Sequence, residues 1–458
     1  MRLLPTELTE LYSYMLALGK ESPYIIAASE MFQLRQASDA AENLLVGATP
    51  PPFGLLDLYF ATTTVPNFGL SAEVSLLPKS QLEGWCIETE KNLRRKCAGL
   101  LEVSGMELNR YTYIRYLHRT VKEYLEQRHV HEALATATAP TTFDPNLSLL
   151  QTCVLKLKGI CTSMSWDDNE LSSTLSLGLT HARLYEESRM KLSQGPNLDE
   201  VMLLDEIDRT MGIILSDFVL RTENPWFYQY GLLQRDRYNK VGMEGCKDSF
   251  LALAVQNGLN HYIQIKIEGD RLGKSTIRKR GRPLLHHAID ALLKNAISVS
   301  SLSGSSLIPL LLQAGANANE AFNGSTVWHI FLVELYKLSF SSKINTRGER
   351  WFGYSQIALS FIEGGADLTS PITSDSPFKY ALASSTTTEP PEIIRILFGG
   401  MPAAMNRLEM RMSEMQNLQS LTSTPIPPIP KMAKLDLSRV KTTFKGFIRR
   451  RSRLKNQT

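Results

Sequence analysis

Leu8, Leu11, Tyr12, Met15 and Leu16 recur at helical spacing and place one apolar stripe on a helix that ends at Gly19. Ser22-Pro23 restarts a helix, with Ser as cap and Pro in the first turn, and its apolar positions run from Ile26 to Phe32. Pro50, Pro51 and Pro52 break the chain before another helical stretch, GLLDLYFA. The period then changes. Residues 86–98 predict a helix, LLEV at 100–103 a short strand, and Ser104-Gly105 a turn. Alternation from Tyr111 to Leu117 predicts a second strand, and residues 120–127 return to helix.

Helix, strand, turn and strand after earlier helices is the order of a winged-helix domain. The second half follows another frame. An ankyrin repeat opens on GxTPLHxA, with a small cap, Pro in the first turn and a small Ala between helices, and closes its second helix on Gly. Four segments fit this frame in degraded form. Ser249 to Ala254 is followed by the turn Asn257-Gly258, and Gly281 to Ala288 keeps Leu285, His286 and Ala288. Gly324 to His329 keeps Thr326 and His329, while Ser376 to Ala381 keeps the cap, Pro377 and Ala381.

Closing helices are expected in IQIKIEGD, LIPLLLQAGANAN, IALSFIEGGADLT and EIIRILFGG. Starts at 249, 283, 326 and 376 are wider apart than the standard repeat of roughly 33 residues. The excess falls in ISVSSLSGSS and SFSSKINTRGERWFG, between paired helices. Each helix pair buries its apolar face only against neighbours, so such an array presents a surface and carries no catalytic apparatus. His286 and His329 are expected to hydrogen-bond nearby backbone rather than to bind metal, since no carboxylate or Cys stands at ligand spacing.

One segment imitates a phosphate-binding loop, Gly269 to Ser275 after the strand-like IQIKI. Only three residues separate its glycines, and Glu268 holds the place where correct spacing wants Gly, which directs a carboxylate at the phosphates. The ankyrin frame accounts for Gly269 better, as a helix end. The HRT triplet at 118–120 lacks the acidic base of a kinase loop. Residues 160–245 read as helices, with acidic WDDNE and breaks at Pro196 and Pro225, and no chemistry is visible there.

LPTELTELYSYML, ASEMFQLRQAS, CAGLLEV, YLHRTVKEYLE and FDPNLSLLQTCVLKLK together resemble the region after the ATPase core in fungal NACHT-type STAND proteins, relatives of NOD-like receptors. The likeness covers about residues 1–160, with an echo in LLDEIDRTM at 203–211. It implies a winged-helix domain that packs on an ATPase, with His118 as the residue that contacts bound nucleotide where such a core is supplied. The other reading of His118 is a cap on the last helix of a small domain, satisfied by nearby backbone.

Composition adds limits. The chain has 458 residues, 43% hydrophobic and 21% charged, enough for two or three cores. No apolar run reaches bilayer length, and Glu7 and Glu10 stand where a signal peptide needs an apolar segment. Five scattered cysteines, Cys86, Cys97, Cys153, Cys161 and Cys246, include no CxxC pair and read as reduced, mostly buried thiols.

Net charge is +4, but residues 431–458 alone carry +9, so the rest is mildly acidic. TSTPIPPIP at 422–430 is an extended linker to that tail. In the tail Leu437, Val440, Phe444, Phe447 and Ile448 line one helical face among Lys441, Lys445, Arg449, Arg450 and Arg451, a pattern suited to an anionic membrane, an acidic partner or nuclear import. A disordered, solvated tail is the other reading.

The expected fold is therefore mainly α: a winged-helix-like region at 1–135, a helical linker at 136–245, divergent ankyrin repeats at 246–400, and a Met-rich helix, Pro-rich linker and basic tail at 401–458. The expected function is non-enzymatic protein–protein recognition in signalling, with no cofactor and no metal, in the cytoplasm or the nucleus. One alternative is a winged-helix nucleic-acid binder, disfavoured by an acidic front half with no basic recognition helix. The other is a truncated gene product without an independent role.

Overall fold

Two apolar cores divide the chain, and one helix belongs to both. The computed structural model describes residues 6–20, 24–45, 52–63, 68–75, 77–105, 109, 111–160, 168–218, 250–269, 282–295, 307–322, 324–340, 349–370, 372–373 and 387–422.

The first core gathers α1 (Thr6–Lys20), α2 (Ile25–Leu44), α3 (Leu55–Thr62), α5 (Lys79–Lys96), strands β1 (Leu101–Ser104) and β2 (Tyr113–Tyr116), α6 (Arg119–Leu125) and α7 (Arg128–Thr138), while the short α4 (Phe68–Ser71) packs Leu70 against the second. The strands pair antiparallel, Leu101 opposite Tyr116, one residue from where the alternation predicts the first of them. Phe53 and Gly54 extend the pairing. Ile114 donates to the Phe53 carbonyl at 2.8 Å, and Leu55 donates to the Thr112 carbonyl at 2.9 Å. A side chain at 54 would press its Cβ to 3.0 Å of that Thr112 oxygen, so Gly eases an approach that any other residue would crowd. Asp57 then accepts the Gly54 N–H at 2.8 Å and starts α3.

The shared helix is α8 (Pro145–Ile160). Leu149 and Leu155 lie in the first core, and Leu150, Val154 and Leu157 in the second. Its two lysines, Lys156 half-buried and Lys158 buried, also point apart. Lys156 pairs with Asp57 of α3 at 2.8 Å. Lys158 donates to the Leu70 and Ala72 carbonyls at 3.2 and 2.7 Å, and pairs with Glu206 of α10 (Leu198–Phe218). The helix α9 (Asp168–Lys191) packs along α8, and α10 also packs on α8. A linker boundary at 136 thus cuts off a helix that completes the first core.

From residue 250 the helices come in pairs. They are α11 (Phe250–Gln256) with α12 (Asn260–Gly269), α13 (Leu284–Asn295) with α14 (Leu307–Gln313), then α15 (Val327–Phe340), α16 (Glu349–Glu363), and α17 (Pro390–Phe398) with α18 (Pro402–Thr422). Packing sorts them into two rows: α11 on α13, α13 on α15 and α15 on α17 in one, α14 on α16 and α16 on α18 in the other. Two short antiparallel strand pairs stand between successive units, Ala321–Phe322 with Ser325–Thr326, and Ile372–Thr373 with Thr387–Thr388.

Glycine ends these helices for a conformational reason. Gly315 and Gly365 have φ of 96° and 82°, left-handed backbone that a β-carbon penalises. Around Gly315, Ala316 donates to the Leu311 carbonyl at 2.9 Å and Gly315 to the Leu312 carbonyl at 3.0 Å. Ala366 and Gly365 repeat the pattern on Phe361 and Ile362. Both are Schellman caps, which satisfy carbonyls that the helix leaves open. Asn319 then ties one loop to the next, donating to the Gly365 carbonyl and accepting from the Asp367 N–H, each at 2.8 Å.

The helix starts expected at 249, 283 and 326 each fall one residue before an observed helix. The fourth, at Ser376, lies outside the described residues. EIIRILFGG forms α17, which stacks on α15 in the first row, so the Met-rich helix α18 and not EIIRILFGG closes the last pair. The packed region therefore continues past residue 400 to α18. Among the described residues no helix is long and apolar enough to cross a membrane.

Candidate functional site

The turn between α9 and α10 sets the site. Arg189 donates to the Gly195 carbonyl through Nε and Nη2 at 3.0 and 2.8 Å, and Asn197 donates to the Tyr185 hydroxyl at 2.6 Å. This closes the turn and brings Glu200, in the first turn of α10, opposite Glu186 of α9. Both carboxyl groups are buried, Glu200 with no exposed surface at all. The N-terminus of α12 meets them from the array side. Tyr262 donates its backbone N–H to Glu186 Oε1 at 3.0 Å, and the N–H groups of Asn260 and His261 hold the same anion.

His261 completes a cluster with Glu186 and Glu200. One donor atom from each lies within 4.8 Å of the other two. Glu186 Oε2, both oxygens of Glu200 and His261 Nδ1 have no hydrogen-bond partner among the described residues. Burial raises the pKa of Glu200, and the charge of Glu186 raises it further. Burial also raises Glu186, opposed by the α12 amides. Burial first, then the charge of Arg189, lowers His261. The undistorted response of such a pair to neutral pH is to keep a proton or to take up a counter-charge.

Next to the cluster a second joint locks α12 to α10. Tyr262 donates its hydroxyl to Asp205 at 2.9 Å, and Lys266 reaches the same carboxylate at 2.6 Å. The site thus sits where the first helix pair of the second half docks on α9 and α10. Sequence reading finds no chemistry in residues 160–245 and no metal ligands, and so misses all three residues. Their positions, 186, 200 and 261, obey no motif spacing, and only the fold joins them.

His118 caps α6: its Nδ1 accepts the Thr120 N–H at 3.2 Å and lies 2.9 Å from the Thr120 hydroxyl, on the exposed surface. This geometry is the capping alternative of the two readings from sequence. In the array, the His286 ring accepts from the Arg282 side chain through Nδ1 at 2.6 Å, a side-chain partner where a backbone one is expected, and at His329 it is the backbone N–H that bonds, to the Thr326 hydroxyl at 3.1 Å. The strand-like IQIKI lies inside α12, which runs through Glu268 to Gly269, so a helix end stands where a phosphate loop would begin. The rest of that loop lies outside the described residues. So do Lys441, Lys445, Arg449, Arg450, Arg451, Phe444 and Phe447, with Cys161 and Cys246. Cys86, Cys97 and Cys153 are buried and free, and burial pushes the Cys97 and Cys153 thiols up to about 12.

Residues 20–167 match a domain of unknown function (DUF7791). That span ends just beyond α8, the helix that completes the first core. No curated protein and no solved structure matches the chain.

Proposed function

We propose that this chain is a non-enzymatic protein–protein recognition module in signalling, an ankyrin-type array joined to a winged-helix-like unit. The observation that carries it is the pairing of helices into two stacked rows with short strand pairs between successive units. Repeats of this kind build long surfaces whose side chains change without disturbing the stack. The front unit supports the same reading. Its order, α2, the paired segment at Phe53–Gly54, α3, α4, α5, β1 and β2, supports a winged-helix reading. Its α5 is poorly suited to nucleic acid, because Arg94 is engaged with Glu90 and Arg95 lies over the Tyr24 ring. By resemblance the chain corresponds to the sensor half of a NACHT-type protein, working in the cytoplasm or the nucleus.

Phe352, Ile396 and Met410 are exposed apolar side chains on α16, α17 and α18. Asp at each of these positions should leave the unfolding temperature unchanged. Full chain and variants, used as bait in extract of the source cells, should then retain a common protein set that at least one variant loses. Equal retention by wild type, the three variants and a chain without residues 250–422 would contradict recognition by the array.

The basic tail adds electrostatic affinity for an anionic membrane or an acidic partner in this account. Each basic residue near an anionic bilayer contributes about 1 kcal/mol, and salt screens it. Neutralising Arg449, Arg450 and Arg451 should weaken co-sedimentation with anionic vesicles strongly at low salt and little at high salt. Phe444→Ala and Phe447→Ala should weaken it with less regard to salt. Equal sedimentation of full-length and tail-deleted protein would remove the tail from the binding surface.

A further inference from the structure

We propose that Glu186, Glu200 and His261 bind one divalent cation of the zinc class at the joint between α9, α10 and α12. Three observations converge on it. The donor atoms come from three helices and face one another within 4.8 Å. Among the described residues four atoms of the cluster have no hydrogen-bond partner, and Glu200, the most deeply buried, has none at either oxygen. Isolated buried charge is costly, so a native structure keeps such groups where something compensates them.

Charge and donor type select the ion. Two carboxylates with one neutral imidazole balance a charge of +2, which leaves the buried site neutral. Imidazole nitrogen with carboxylate oxygen suits zinc and its neighbours, whereas calcium and magnesium prefer all-oxygen shells with more ligands. Three protein donors leave a fourth, water-filled position. Bonds of about 2.1 Å put tetrahedral ligands about 3.4 Å apart, so the side chains would draw in from a spacing that nowhere exceeds 4.8 Å. The α12 amides hold Glu186 through Oε1 and leave Oε2 free for the metal, the arrangement of an oriented ligand. Bound there, the ion would fasten the helical array to the helices that carry it.

The test uses the full chain after chelator treatment and zinc ions alone as the probe. Competition with a chromophoric chelator should show one tightly bound equivalent. Saturation should raise the unfolding temperature by about 5 °C or more, and magnesium at the same concentration should not. Glu200→Gln and His261→Ala should each weaken binding at least tenfold, while His129→Ala, at an exposed histidine, should not. The wild-type titration needs no variant to fold: absence of a stoichiometric equivalent overturns the proposal. So does binding that survives both cluster substitutions, since the metal then lies elsewhere. A chain that binds no zinc and is as stable with Glu200→Gln holds instead a carboxyl pair sharing a proton.

Discussion

Trp328→Ala is expected to destabilise the second half by about 3–5 kcal/mol. Trp328 is fully buried at the start of α15, with its ring 6.0 Å from that of Phe331 and 5.3 Å from that of Phe361 on α16. Phe331 and Phe361 stack on each other at 5.0 Å, so three rings join α15 to α16. Alanine would leave a cavity between rigid helices that cannot close over it. The indole Nε1 has no hydrogen-bond partner among the described residues, so the loss is one of packing. Trp328→Phe should therefore cost clearly less, since it keeps most of the ring contact and removes a donor with no acceptor. Calorimetry or thermal circular dichroism should show a fall on the order of 10 °C for alanine. A fall below about 2 °C would contradict this placement.

The sequence carries part of this architecture in local signals. Apolar stripes and left-handed glycines are readable because each acts within one turn of helix, and Gly258, Gly315 and Gly365 all end helices as the frame requires. The hairpin at 101–116 is readable from its alternation. What a local signal lacks is the row to which a helix belongs. Pro390 and Pro391 open α17 as a first-row helix, yet Ser376-Pro377 offers a similar start, and Gly399 suits the end of either helix of a pair. IQIKI alternates like a strand, but its place between the α12 N-terminus and Gly269 makes it helix, with Ile263 buried and its other isoleucines only partly so.

The role of α8 is hidden for a related reason. FDPNLSLLQTCVLKLK is apolar nearly all round, which periodicity reads as a buried helix without saying that two cores bury it. Lys156 and Lys158, two residues apart, look like solvated charges until Asp57 and Glu206 are seen to meet them from opposite sides. The cluster of Glu186, Glu200 and His261 is the least legible. No spacing rule links residues from three separate helices, and each taken alone reads as a surface charge or a helix cap.

Removing the last helix pair should have an effect as large as any single substitution, but one confined to its neighbours. A chain ending at residue 370 loses Ile393, Ile394 and Phe398 of α17 and Met405, Leu408 and Met412 of α18, all buried. At about 1.5–3 kcal/mol for each buried side chain the gross loss is on the order of 10 kcal/mol, offset in part by the ordering of the deleted segment. α15 loses its cover by α17, α16 loses α18, and Trp351 loses the edge contact with Phe398. α11 and α13 keep one another, and α12 keeps its joint to α10.

In a linear stack each unit depends mainly on its nearest neighbours, whereas a single globular core loosens throughout when two of its eight described helices are removed. Amide hydrogen exchange on the 1–370 chain beside the full chain distinguishes the two most directly. The account predicts that α15 and α16 exchange at least about a hundredfold faster while α11 and α12 stay within about tenfold of the full chain. Loss of protection in α11 and α12 as complete as that in α15 and α16 would contradict a stacked array.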